Sequence, residues 1–222
     1  KALIPTLLLY GACVKPIPQI QIQIPQSILE YQQIQEQNIN SVINSYVLLE
    51  TTNEYQQGSA ILVHKSYGMG VVYDNFVLTV AHVAGHPHPL YIPSGKLFVP
   101  LDREPTRTTT KIHNTAEDLE EIVKDEGTDL AVYKLGSYEG VKFPFGLSDA
   151  SKVGQRILLI GNPGLQGFNT REGIISEIDG RKIWISAEAD NGDSGTAVVR
   201  ADNSQLVGLV SGSWAQSPVN RY

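Results

Sequence analysis

The sequence predicts an all-β fold with a short helical segment on its N-terminal side. Three observations lead there. From Tyr46 onward, about ten short apolar runs are separated by turn residues, and no long helical pattern intervenes. Glycine (20) and proline (12) are frequent and fall between the runs. A chain of 222 residues, 41% hydrophobic and 18% charged, can bury an ordinary core as one unit or as two small lobes sharing a cleft. Barrels or a sandwich are the architectures that fit.

Taken in order, residues 1–13 read as a signal segment. Lys1 is followed by the apolar run Ala2 to Tyr10 and the small residues Gly11 and Ala12. The run is too short to span a bilayer. Cys13 directly after Gly-Ala resembles a lipoprotein signal, so lipidation at Cys13 is expected; a plain signal peptide or a buried strand are the alternatives. The expected setting is therefore exported, periplasmic or cell-surface, with a membrane contact only through such an anchor. Residues 14–27 alternate Pro, Gln and Ile and read as an extended tether. From Ser27 to Tyr46 the positions Ile28, Tyr31, Ile34, Ile39, Val42, Ile43 and Tyr46 approximate a helical period, giving one or two short helices.

The expected strands then follow: Tyr46–Thr52, Ser59–His64, Phe76–Val80, Leu97–Leu101, Leu130–Leu135, Arg156–Ile160, Gly173–Ile178, Lys182–Ser186, Thr196–Arg200 and Leu206–Ser211. Each is a β-branched or aromatic run bounded by turn formers. Ala116–Lys124 is acidic and helix-prone and reads as a solvated surface insertion. Residues 28–222 form one domain, with a lobe boundary expected near 140–152.

Several function classes are excluded. The net charge is -6 and the basic residues are scattered, which argues against nucleic acid as a partner. With a single cysteine, Cys13, the chain has no intramolecular disulfide. His82, His86 and His88 have a spacing that suggests metal, but Gly85, Pro87 and Pro89 break any helix and no acidic or cysteine ligand accompanies them. Neither a metal nor a cofactor is expected. Trp184 and Trp214 read as core or cleft-wall residues.

The chemistry lies in three segments. Asn191-Gly192-Asp193-Ser194-Gly195 places a serine in a tight turn after an expected strand. Its glycines let peptide N–H groups converge on one point. A serine hydroxyl needs a base, and His82 in Thr79-Val80-Ala81-His82-Val83 ends another strand. Asp129 in Gly127-Thr128-Asp129-Leu130-Ala131-Val132 opens a third. The chain order His, Asp, Ser is that of the chymotrypsin arrangement, not of subtilisin or the α/β-hydrolases.

Those three segments resemble the histidine, aspartate and nucleophile motifs of trypsin-like serine peptidases. Leu158-Leu159-Ile160-Gly161-Asn162-Pro163-Gly164, with Thr170-Arg171-Glu172-Gly173-Ile174-Ile175-Ser176 and Gln57-Gly58-Ser59-Ala60, resembles the bacterial HtrA-type branch. The resemblance covers about residues 40–213. It implies two six-stranded antiparallel β-barrels with His82 and Asp129 in the first and Ser194 in the second. It also implies a serine endopeptidase acting on protein or peptide, with Gly192 and Ser194 N–H groups as an oxyanion hole. Ser211, Gly212 and Ser213 would pair with the substrate backbone, Ser211 would approach Asp129, and Glu188 would line the specificity pocket or face solvent. HtrA-type proteins often carry a PDZ domain after the peptidase; the expectation here is the peptidase domain alone, with oligomeric state open. Val83 stands where animal relatives have cysteine, and Thr196 where a second glycine is common. Asp193 stands where the HtrA branch usually has asparagine. In trypsin-type zymogens that aspartate pairs with a new N-terminus; here an internal cation, Arg156 or Arg171, is the expected partner. The rival readings are a surface lipoprotein using the fold as a binding module and a viral or phage peptidase with one cleavage site.

Overall fold

The computed structural model describes residues 26–85, 90–94, 97–101 and 104–212. Cys13, the tether before Gln26, His86, His88, Ser213 and Trp214 lie outside the described residues. One helix, α1 (Gln26–Asn44), covers the expected helical segment. Thirteen strands follow: β1 (Tyr46–Gln57), β2 (Ala60–Tyr73), β3 (Phe76–Thr79), β4 (Leu90–Ser94), β5 (Leu97–Leu101), β6 (Arg107–Ile112), β7 (Glu120–Asp125), β8 (Leu130–Lys134), β9 (Arg156–Gly161), β10 (Asn169–Asp179), β11 (Lys182–Ile185), β12 (Ala197–Arg200) and β13 (Leu206–Leu209).

The first lobe is a six-stranded sheet in the order β6-β1-β2-β3-β8-β7. The second is a five-stranded sheet in the order β11-β10-β9-β12-β13. Both are antiparallel and curl into half-barrels, and β4 and β5 form a separate hairpin. The all-β expectation of two lobes holds. The second sheet has five strands among the described residues, where six were expected.

Each lobe forms because its strands alternate. Along β1, Val47, Leu49, Thr51, Asn53 and Tyr55 are buried, two residues apart on the inner face. Val47 and Leu49 join Val72, Val77, Val80, Ala131 and Tyr133 in the first core. Ile157, Leu159, Ile175, Val198 and Val210 make the second lobe's core. A third cluster joins them: Val42 of α1, Val71 of β2, Phe143, Ile160, Ala197, Val199 and Leu206. The helix is thus a wedge over the seam between lobes. Tyr46 fastens the seam: its hydroxyl donates to the Ile160 carbonyl at 2.7 Å and accepts from the Ala197 N–H at 2.8 Å.

Among the polar inner residues of β1, Thr51 and Asn53 are hydrogen-bonded, whereas the buried Tyr55 hydroxyl has no partner among the described residues. The Thr51 hydroxyl donates to the Val83 carbonyl at 2.7 Å, and the Thr108 hydroxyl donates to Asn53 Oδ1 at 2.7 Å. Burial without these bonds would cost free energy; with them, the bonds fix the segment that follows His82.

The helix-prone reading of Ala116–Lys124 is corrected. Its second half is β7, an edge strand paired with β8 through Glu120↔Lys134 and Lys124↔Ala131. The open edge of β8 supplies hydrogen bonds that outweigh local helix propensity, and Glu120 pairs with Lys134 across the strands at 3.0 Å. The segment remains largely exposed, as a solvated element should.

Glu50 is 5% exposed on β1 and gathers two lysines and a histidine. Lys65 lies 2.7 Å away, His113 3.0 Å and Lys111 3.7 Å. The hydrogen bonds from Lys65, then His113, hold its carboxyl down at about 2, from an ordinary value of 4.5. A depressed carboxyl contributes stability above its unfolded-state pKa and loses it as pH falls toward the folded value. The urea midpoint of the parent should therefore decline between pH 4.5 and about 2. In Glu50→Gln the decline should be shallower and the pH 7 midpoint lower; equal slopes in the two proteins would contradict this account.

Candidate active site

Strand register brings His82 to Asp129. β3 pairs antiparallel with β8 in the register Phe76↔Lys134 to Thr79↔Ala131. Continued past the strand ends, that register sets Ala81 opposite Asp129, and the Ala81 N–H donates to the Asp129 carbonyl at 3.2 Å. The chain then turns, with Val83 and Ala84 N–H groups both donating to the Val80 carbonyl. The next side chain, His82, swings over the carboxylate. His82 Nδ1 lies 2.8 Å from Asp129 Oδ2, and the His82 backbone N–H donates to Oδ1 at 2.9 Å. A carboxylate can only accept, so this contact favours the tautomer with its hydrogen on Nδ1.

Asp129 has φ +54°, a left-handed conformation that Asp tolerates better than most residues. A third bond reaches its carboxylate, from the Ser211 hydroxyl to Oδ2 at 2.5 Å. Burial works to raise the Asp129 pKa. The hydrogen bonds from His82, Ser211 and the His82 backbone outweigh it and hold the carboxyl below its ordinary range. The carboxylate is thus kept charged and aimed. The expected approach of Ser211 to Asp129 is present.

The backbone at Ser194 is tied to β2 on one side and to the residue before Ser211 on the other. Its carbonyl accepts the Met69 N–H at 3.1 Å, and the Met69 carbonyl accepts the Thr79 hydroxyl at 2.7 Å, three residues before His82. From the other side, the Gly195 N–H donates to the Val210 carbonyl at 2.9 Å, and the next residue is Ser211. Gly195 makes the approach feasible. It has φ +83°, and a Cβ there would overlap the Met69 carbonyl oxygen and sit 2.8 Å from Thr79 Oγ1.

The turn before Ser194 is cross-braced. The Asp193 N–H donates to the Asp190 carbonyl at 3.1 Å and the Asp190 N–H to Asp193 Oδ2 at 2.8 Å. Thr196 donates to the Asp193 carbonyl through its N–H at 2.9 Å and its hydroxyl at 2.6 Å. The threonine in place of glycine therefore closes the turn. Gly192, at φ +99°, packs where a Cβ would lie 2.7 Å from both the Asn162 carbonyl and the Gly164 nitrogen. The Gly164 N–H donates to the Asn191 carbonyl at 2.6 Å.

The buried Asp193 has Arg171 as its cation, at 2.6 Å. The alternative, Arg156, pairs with Glu172 on the outer face instead. Glu188 has an exposed side chain, and its carbonyl accepts from Arg171. Gly212 is exposed beyond β13. Among the described residues, no group of three or more His, Cys, Asp or Glu side chains is arranged to hold a metal.

Three contributors escaped sequence reasoning: Met69, Thr79 and Gly161. Met69 acts through its backbone, so its side chain carried no signal. Gly161 looked like part of a Gly-Asn-Pro motif, whereas its meaning is space beside Asp193.

Residues 58–209, most of the chain, match the family described as the trypsin-like peptidase domain. No curated protein sequence matches the chain. Solved structures with the same fold include the HtrA-type protease AlgW with a decapeptide, in two forms. One gives a TM-score of 0.59 at 20% identity over 82% of this chain and 59% of that one. The other gives 0.57 at 20% identity over 82% and 60%. The serine endoprotease from Yersinia pestis gives 0.55 at 22% identity over 88% of this chain and 61% of that one. The chain thus spans about three fifths of the length of those proteins, and at this identity the likeness shows the fold.

The glycine geometry makes a direct prediction. Gly195→Ala should lower stability by at least about 2 kcal/mol, because strained φ and overlap with a backbone oxygen act together. Gly208→Ala, where a Cβ meets nothing within 4 Å, should change it by less than about 1 kcal/mol. Urea unfolding of the two variants checks the contrast.

Proposed function

The chain belongs to the trypsin-like peptidase family, and on that footing we propose that it is a serine endopeptidase in which Ser194, His82 and Asp129 form the triad. The observation that carries the reading is the Asp129 carboxylate, held by three hydrogen bonds and aimed at His82 Nδ1 at 2.8 Å. A carboxylate so fixed keeps one imidazole tautomer and stabilises the imidazolium that forms during reaction.

The chemistry follows in balanced steps. Ser194 Oγ attacks the scissile carbonyl carbon while His82 Nε2 takes the hydroxyl proton. The tetrahedral intermediate collapses as the same imidazole returns the proton to the leaving amine, giving a free amine and an acyl ester on Ser194. Water, deprotonated by His82, attacks the ester; the proton goes back to Oγ and the carboxylic acid leaves.

The oxyanion is assigned to the N–H groups of Gly192 and Ser194. Peptide geometry supports this. The described chain has no cis peptide bond, so the Gly192 N–H points opposite to the Asn191 carbonyl of the same peptide unit. That carbonyl is drawn toward Gly164, which turns the N–H away from the 163–165 loop. The substrate is a peptide or protein lying as an extended strand against residues 211–213. Export and lipidation at Cys13 belong to the same reading and are checked by mass spectrometry of the mature N-terminus.

Ser194→Ala should lower casein or peptide hydrolysis by about 10⁴-fold or more and abolish labelling by a fluorophosphonate, with circular dichroism unchanged. Asp129→Asn should cost about 10⁴-fold in kcat by releasing the imidazole tautomer. A folded Ser194→Ala variant that cleaves like the parent would refute the assignment.

A further inference from the structure

Asp193 is an expensive residue in its position. It is fully buried, it directly precedes Ser194, and an ionised carboxylate in the interior persists only when paired. Its Oδ2 takes two hydrogen bonds, from Arg171 Nη2 at 2.6 Å and from the Asp190 N–H at 2.8 Å. Its Oδ1 takes none from the described residues. Arg171 is thus the one charged group that holds this carboxylate among the described residues.

Arg171 does more than neutralise. Its other terminal nitrogen donates to the Glu188 carbonyl at 2.7 Å and lies 3.7 Å from Asp190 Oδ2. One planar fork therefore touches residues 188, 190 and 193 of the loop that ends at Ser194. A lysine could place one charge but could not span those points. The base of the fork is firm: Arg171 lies on β10, paired with Leu159 of β9. Gly161, at the end of β9, records the fit. A Cβ there would overlap both Asp193 Oδ1 and Arg171 Nη2, so a larger residue would displace the pair.

We propose that Arg171 is the positioning residue for the nucleophile loop: its fork presets the 188–193 backbone, and with it the Gly192 and Ser194 N–H groups, from a rigid strand. The role is indirect, since Arg171 acts through Asp193 and touches no reacting atom. The inference rests on the peptidase reading for its kinetic consequence, while its effect on loop order stands apart from it.

The experiment compares the parent with Arg171→Ala, Arg171→Lys and Asp193→Asn. It measures kcat and KM on a peptide substrate, fluorophosphonate labelling rate, thermal unfolding and amide hydrogen exchange of residues 188–194. In Arg171→Ala, kcat and labelling rate should fall by about 100-fold, the worth of one oxyanion donor, with KM changed much less. Exchange should accelerate in 188–194 and stay parental in β1 and β2. Added millimolar guanidinium ion should restore several-fold activity to Arg171→Ala and none to Asp193→Asn. Arg171→Lys should fall between parent and alanine. A folded Arg171→Ala protein with kcat within twofold of the parent, or with unchanged exchange in 188–194, overturns the proposal. Should Arg171→Ala not fold, Arg171→Lys decides: full parental kcat would show that the fork plays no part. A parent that neither cleaves nor labels refutes the peptidase reading instead, and the exchange comparison still decides whether Arg171 orders the loop.

Discussion

The antiparallel register of β3 against β8 is the constraint on which the candidate site depends. Thr79 opposite Ala131 places Ala81 opposite Asp129, and only then does the turn at Val80 carry His82 over the carboxylate. Side chains alternate faces along a strand, so a one-residue slip would send the apolar set of β8 to the wrong side. Ala131 and Tyr133 are buried and Leu130 is partly exposed, so burial of that face opposes the slip. The same apolar residues that make the first core therefore also fix the imidazole–carboxylate contact. Folding energy and functional geometry have one source here.

The junction between lobes is made of hydrogen bonds rather than covalent links. Met69 N–H to Ser194, Ser211 to Asp129, and Tyr46 to both Ile160 and Ala197 all cross it. A bond to a charged group contributes about 1.5–3 kcal/mol, and a neutral one about 1. Such a junction holds the lobes in register best where its donors start from rigid elements, as Met69 and Tyr46 do. Met69 is buried in β2, Tyr46 begins β1 beneath the helix, and burial in the third cluster raises the Tyr46 hydroxyl pKa above its ordinary value, keeping it a donor.

Much of this was legible in the sequence, for identifiable reasons. The ten expected strands all coincide with observed ones, because alternating Val, Ile and Leu between turn formers is a local signal. β6, Arg-Thr-Thr-Thr-Lys-Ile, carries almost no apolar signal; its place is set by pairing with Leu49–Glu54 of β1. The charges of β7 favour a helix locally and say nothing about the waiting edge of β8. β4 contains a proline and pairs only with β5 among the described residues. The site divides in the same way. His82, Asp129 and Ser194 stand in motifs whose local pattern is specific. Gly161, Gly195 and the choice of Arg171 over Arg156 depend on what lies across the fold. Residues two positions apart in a β-strand share a face, while 156 and 171 sit on different strands. Spacing alone could not decide between them.

Two carboxylates flank the proposed nucleophile, and they are stabilised differently. Asp129 is partly exposed and held by three hydrogen bonds, from a ring, a hydroxyl and a backbone N–H. Asp193 is fully buried and held by a guanidinium and one backbone N–H. In the proposed mechanism the first exchanges interactions with an imidazole that gains and loses charge, so partners of modest strength that leave it solvent-accessible suit it. The second takes no part in the proposed proton transfers. On that proposal its task is to stay fixed beside the reacting serine, and a permanent cation on a strand suits that task. The two arrangements separate the moving charge of catalysis from the fixed charge of the scaffold, although only the Ser194 residue stands between Asp193 and the Gly195 contact that joins the lobes.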